Sequence, residues 1–207
     1  MSTVSTPLMD VVSDWDGKRL SVMLPDGRVL AEDPEPTGPS GVVDYWGREA
    51  HVTPHDGVVS QALADHVARD VVLARAVRGD IVYGAPVTIL GSASLHDLAT
   101  RMGEQQLVDQ SERFRSTFLV ETGRPGEEDD WVGHEVRLGD AVVKVVGRVG
   151  RCGVINFNPT TAGVEGSVLK QLATYRPSNE RGEPYFAVLA EVVRPGAVPA
   201  VGSVGWK

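Results

Sequence analysis

The sequence predicts a mostly β protein with a few short α-helices, and three observations carry that reading. Gly and Pro, 23 and 13 of 207 residues, are spread along the chain and punctuate it too often for long helices. Valine-rich runs of strand length recur between them, foremost Ala141-Val142-Val143-Lys144-Val145-Val146, whose β-branched composition is that of a strand buried for most of its length. The helical stretches that remain are short, and most carry recognisable boundary residues.

Taken in order, the runs 19–24 and 28–30 flank Pro25-Asp26-Gly27, where a fixed proline φ and a permissive glycine turn one strand onto the next. The stretch from Glu32 to Gly41, rich in Pro, Gly and acid, reads as a loop. A weak helix over 60–69 has Leu63 and Val67 on one face. A strand at 86–91 precedes a helix from Leu95 to Met102, capped by Ser94 with Asp97 as reciprocal partner and stopped by Gly103. A strand over 114–121 would set Arg113 and Arg115 on one face and Phe114 on the other. The acidic run Glu127-Glu128-Asp129-Asp130 reads as a solvated turn before Trp131. Strands follow at 134–138, 141–149 and 152–157, then a helix over 168–175 capped by Ser167 and ended by Pro177, then a strand at 185–193.

Composition removes several function classes. With 28 acidic against 20 basic side chains and a net charge of −8, the chain lacks the basic excess of a nucleic-acid binder. No apolar run approaches the ~18 residues of a membrane span, and residues 1–10 have no signal-peptide pattern, so a soluble, cytoplasmic protein without membrane contact is expected. One cysteine allows no internal disulfide. His51 and His55 have the i, i+4 spacing of a helical zinc pair, but Pro54 lies between them and no Glu follows His51. No nucleophile elbow, phosphate-binding loop or dinucleotide fingerprint occurs.

The lone thiol, Cys152, directly follows Arg151 in Gly147-Arg148-Val149-Gly150-Arg151-Cys152-Gly153. A thiolate is a soft anionic metal ligand and a nucleophile, and neighbouring guanidiniums favour it. Gly150 and Gly153 permit an irregular path that brings Cys152 to a cavity. Taken alone, such a cysteine is more often a small buried hydrophobe than a ligand. Arg113 and Arg115 on one strand face would suit an anionic ligand.

The ordered set Pro86-Val87-Thr88-Ile89-Leu90, Ser92-Ala93-Ser94-Leu95, Arg113-Phe114-Arg115, Glu128-Asp129-Asp130-Trp131-Val132-Gly133, Arg151-Cys152, Asn158-Pro159, Leu172-Ala173-Thr174-Tyr175-Arg176 and Val193-Arg194-Pro195-Gly196 resembles the MOSC domain, the molybdenum cofactor sulfurase C-terminal module. The resemblance implies a β-barrel-like MOSC domain over 81–207 behind a partial N-terminal barrel-like region at 1–80. It implies the molybdenum cofactor (molybdopterin), with Cys152 as metal ligand and catalytic residue and with Arg113, Arg115, Thr117, Arg151 and Asn158 as cofactor-binding residues. The implied activity is reduction of N-hydroxylated small molecules, such as amidoximes or hydroxylaminopurines, with electrons from a separate electron-transfer protein. A sulfur carrier or sulfurtransferase working through a Cys152 persulfide, and a non-catalytic anion-binding barrel, are the alternatives. Pyridoxal phosphate is not expected. The chain departs from the family pattern at Arg115-Ser116-Thr117, where the family has Arg-Pro-Asn, at Asn158, where it usually has Asp, and in lacking an aromatic-Pro-Val-Lys-Ser strand.

Overall fold

The computed structural model describes residues 8–199 and the backbone of 204–206. The chain divides into two compact units between Val82 and Tyr83.

The first unit holds two three-stranded antiparallel sheets and one helix. In the first sheet β1 (Val12–Trp15), β2 (Leu20–Met23) and β3 (Val29–Glu32) run as a meander, and the β2–β3 connection is the expected Pro-Asp-Gly turn. There Gly27 takes φ +83 and Asp26 accepts a hydrogen bond from the Arg28 amide, so the turn chemistry sets the register. The second sheet orders β4 (Gly41–Tyr45), β5 (Arg48–Pro54) and β6 (Ala74–Ala76). Helix α1 (Val58–Val67) starts where the Val58 amide donates to the Glu32 carboxylate at 2.9 Å, a cap supplied from the end of β3 rather than from within the helix. Val59 and Ala62 of α1 pack with Val22 and Leu24 into a small core.

The second unit is built on one six-stranded sheet. In sequence order it contains β7 (Val87–Gly91), α2 (Ser92–Met102), β8 (Phe118–Val120), β9 (Glu135–Leu138), β10 (Ala141–Gly150), α3 (Val168–Ala173), β11 (Tyr185–Arg194) and β12 (Val204–Trp206). The spatial order is β12-β9-β10-β11-β7-β8, antiparallel throughout except for β7 and β8. That parallel pair needs a crossover, and α2 with the 3-10 segment Gln105–Phe114 supplies it. Alternation along β7 sends Ile89 into one core cluster, with Trp131, Val136, Val143 and Val145, and Leu90 into the other, with Leu98, Phe114, Leu172 and Phe186. The fold class is therefore the mostly β one with short helices.

Several local expectations change. The run at 141–149 is a strand, but only one of its faces is buried: Val143 and Val145 lie in the core while Val146 is 44% exposed. Residues 153–156 form a 3-10 turn instead of a strand, because Gly150 ends the pairing of β10 with β11 and the chain turns back on itself. Arg113 and Arg115 do not share a strand face. Arg113 sits in the last turn of Gln105–Phe114, Arg115 is its left-handed cap at φ 49, and β8 starts three residues later at Phe118. Helix α2 begins earlier than expected, with Gly91 as N-cap, so Ser94 lies inside it.

The acidic run is not a solvated turn. Glu128 is fully buried and accepts a hydrogen bond from Ser94 Oγ at 2.9 Å, while the Gly126 amide donates to the same hydroxyl at 2.8 Å. A Cβ at Gly91 would stand 2.5 Å from Glu128 Oε2, so only glycine lets the carboxylate approach the start of α2. A carboxylate there meets the positive end of the helix, which repays part of its burial. Its sequence gives no hint of this, since a run of four acids normally marks solvent.

Candidate functional site

The site grows from the end of β10. Pairing with β11 shifts register between Arg148 and Gly150, and a Cβ at Gly150 would lie 2.7 Å from Asn179 Nδ2 and 2.8 Å from Glu183 Oε2. The strand therefore bulges at a glycine that the 179–183 turn crowds, and the next two residues part company. Arg151 turns inward and is 8% exposed; Cys152 is exposed and free.

The Arg151 guanidinium works as a fork. Nε donates to the Phe186 carbonyl at 2.6 Å and Nη1 to the Phe114 carbonyl at 2.7 Å. Each of these carbonyls precedes a non-glycine residue of positive φ, Ala187 at 85 and Arg115 at 49. A left-handed residue is strained by about 1–3 kcal/mol and persists only where surroundings hold it. Arg151 thus fastens β11 and the 114–117 segment to the strand end that carries the thiol. Burial pulls its pKa down from the ordinary value to about 10, against the opposing pull of Cys152 and Tyr83. It remains a cation at neutral pH. Nη2 is buried with no hydrogen-bond partner among the described residues.

The other candidate residues fall into two groups. Arg113 and Asn158 are brought together, not at the thiol but under the 155–165 loop. Arg113 donates through Nη1 to the Ile155 and Glu165 carbonyls at 3.3 and 3.2 Å and through Nη2 to Gln110 Oε1, and it faces the Glu165 carboxylate at 3.7 Å. Burial lowers its pKa, with Glu165 and Glu104 opposing. Asn158 Nδ2 donates to the same Glu165 carboxylate at 2.6 Å, and its Oδ1 accepts from the Thr160 and Thr161 amides at 2.7 and 3.1 Å. Asparagine does here what a turn requires of Asx. Arg115 and Thr117, by contrast, are exposed. Thr117 pairs with Thr88, exchanging amide-to-hydroxyl hydrogen bonds at 3.1 and 2.9 Å, which registers the start of β8 on β7.

Two features of the site are not legible in the sequence. Tyr83, half exposed, stands in electrostatic reach of Cys152 and Arg151; burial first, then Glu183, raises its pKa. Ser116 Oγ is buried without a partner among the described residues, two residues beyond the carbonyl that Arg151 holds. No motif marks Tyr83, whose placement depends on contacts distant in sequence; Ser116 stands in Arg115-Ser116-Thr117, where the family has Arg-Pro-Asn, but the motif does not show that its hydroxyl is buried.

With this arrangement in view, residues 57–204 match the MOSC domain family. The chain is a MOSC-domain protein. Mitochondrial amidoxime reducing component 2 of Bos taurus is 30% identical over 121 residues, covering 55% of this chain and 34% of that relative. The MOSC chain thus spans about a third of that relative's length. Among the described residues no helix is long and apolar enough to cross a membrane, and no cluster of three or more His, Cys, Asp or Glu could hold a metal ion.

MOSC domains are generally associated with the molybdenum cofactor. Such a group offers a metal that takes a soft thiolate and an anionic portion that takes hydrogen-bond donors. The residues present fit it in part. Cys152 is accessible, Arg151 Nη2 and Ser116 Oγ are donors without partners among the described residues, and Arg115 and Thr117 are exposed. Arg113 spends both Nη groups and Asn158 its side-chain amide on the protein itself, while Arg113 Nε is buried without a partner among the described residues.

Proposed function

We propose that this MOSC protein binds the molybdenum cofactor through Cys152 and reduces N-hydroxylated small molecules with electrons from a separate electron-transfer protein. The observation that carries the reading is the divergence of Arg151 and Cys152: a buried cation fixes the backbone, and the adjoining thiol is held out where a ligand can reach it. When bound, the cofactor would supply the two-electron redox chemistry of the reduction. Cys152 would present its thiolate to the metal, and Arg151, Ser116, Arg115 and Thr117 would receive the anionic part. The net reaction takes up two electrons and two protons, breaks the N–O bond and releases water. The name of the bovine relative supports an amidoxime as substrate, and an exposed thiol suits a reducing compartment such as the cytoplasm.

Metal analysis tests this. Protein purified from a host that makes the cofactor should contain molybdenum, and Cys152→Ala should lose it while staying folded. Molybdenum near the wild-type level in Cys152→Ala would rule out the ligand role. The same exposed thiol also suits a persulfide carrier. For that reading the intact mass after incubation with a cysteine desulfurase should show an added sulfur on the wild type, absent from the alanine variant, with no molybdenum in either.

A further inference from the structure

The first unit contains a cavity of about 180 Å³ lined by Trp15, Leu20, Pro34, His55, Leu73 and Arg75. Cavities of about 150 Å³ take a benzene ring, so this one has room for a ring with one small substituent. Part of its wall, Trp15, Leu20, Pro34 and His55, precedes residue 57, where the family match begins, so the matched MOSC segment alone does not form the cavity.

Its wall is chemically mixed in a particular way. Leu20, Pro34 and Leu73 are apolar, and Trp15 adds an aromatic surface. Ala74 and two basic side chains, His55 and Arg75, complete it. His55 is 7% exposed, its amide is tied to the Leu73 carbonyl at 2.8 Å, and its Nδ1 is buried with no partner among the described residues. Arg75 projects from β6, is exposed, and has no side-chain hydrogen bond or ion pair among the described residues. Beside an apolar hollow the Arg75 guanidinium offers a planar fork to a planar anion. A buried imidazole nitrogen without a partner is likewise a hydrogen bond waiting for one.

We propose that this cavity binds a small aromatic or heteroaromatic monocarboxylate, its ring against Trp15 and the apolar wall and its carboxylate on Arg75 with the His55 imidazole beside it. The site is independent of Cys152 and needs no cofactor.

Benzoate is the probe, with heat of binding to the full chain as the readout. Benzoate should bind saturably at millimolar concentration or below, and the neutral isostere benzamide at least about tenfold more weakly, as expected for loss of a charge-assisted pair. Arg75→Gln should weaken benzoate about tenfold or more and bring it level with benzamide. Leu73→Trp, which fills the hollow, should abolish binding; a second filling variant, Ala74→Leu, guards against a fold defect in the first. No saturable binding of benzoate, or binding that Arg75→Gln and both filling variants leave unchanged, overturns the proposal.

Discussion

At the end of β10 the chain buries a guanidinium and exposes the side chain next to it; at 127–131 it buries a carboxylate and gives every neighbouring carboxylate a partner. Glu127 accepts from the Gly123 amide, Glu128 from Ser94, Asp129 meets Arg176 and Arg148, and Asp130 meets Arg124. The acidic segment is spent on holding α2, β10 and the segment after α3 in place. At the strand end Arg151 is spent in the same way, but Cys152 has no side-chain hydrogen bond among the described residues and is left for chemistry. The two charged segments differ in whether a reactive group remains after the internal partners are counted.

The comparison is broken most sharply at Arg151. Arg151→Ala leaves the Phe114 and Phe186 carbonyls without donors and two positive-φ residues without their restraint, so it should destabilise the protein by about 3–5 kcal/mol, the range for breaking a buried charged group's network. Urea unfolding measures it. Arg151→Lys keeps the charge but cannot span both carbonyls, and most of the loss should remain; full recovery by lysine would show that charge, and not the fork, does the fastening. Glu128→Ala comes next, at about 2–3 kcal/mol, because it empties a buried site and removes the Ser94 acceptor. A shift below about 0.5 kcal/mol would mean that the carboxylate is tolerated rather than needed.

These two residues also mark how far the sequence could be read. The strands at 86–91, 134–138, 141–149 and 185–193 were legible because their β-branched pattern is set locally, and the turn at Pro25-Asp26-Gly27 was legible because two residues determine it. Cys152 was legible as a candidate because it stands alone beside an arginine. The inward turn of Arg151 was not, since it depends on two carbonyls from segments distant in sequence. Glu128 was misread for the same reason: its partner Ser94 lies in a helix that the sequence places after its true start. Arg113 and Arg115 were misassigned to a strand because the segment is helical up to Phe114 and reverses at Arg115.

Smaller effects sharpen the contrast. Asp129→Asn should cost about 1–2 kcal/mol, since it weakens a charge-assisted pair with the mostly buried Arg176, whereas the half-exposed Arg148 contact adds little. A double-mutant cycle with Arg176→Gln separates the two, and a coupling energy near zero would remove the Asp129–Arg176 pair from the structural account. Cys152→Ser should change stability by no more than about 0.5 kcal/mol, as expected for an exposed side chain with no packing role. A large loss would place the sulfur in the core after all.

The last effect is confined to alkaline pH and lies beside the acidic segment. Tyr175 precedes Arg176, and burial, then Asp97, raises its pKa from the ordinary 10.0 to about 12. Its hydroxyl is buried without a partner among the described residues, and the Arg101 guanidinium lies 4.2 Å from the ring centre. The folded state therefore keeps the phenol proton after the unfolded chain has released it. With more protons bound in the folded state, stability from this group is complete below pH 10, declines as pH rises, and is gone once the folded tyrosine itself ionises near pH 12. Tyr175→Phe cannot ionise, so the variant should lose less stability than the wild type across that window while matching it at neutral pH. Parallel curves for the two proteins up to pH 12 would show that the tyrosine is no less hydrated folded than unfolded. Arg101 would then be stacking on a ring that water still reaches.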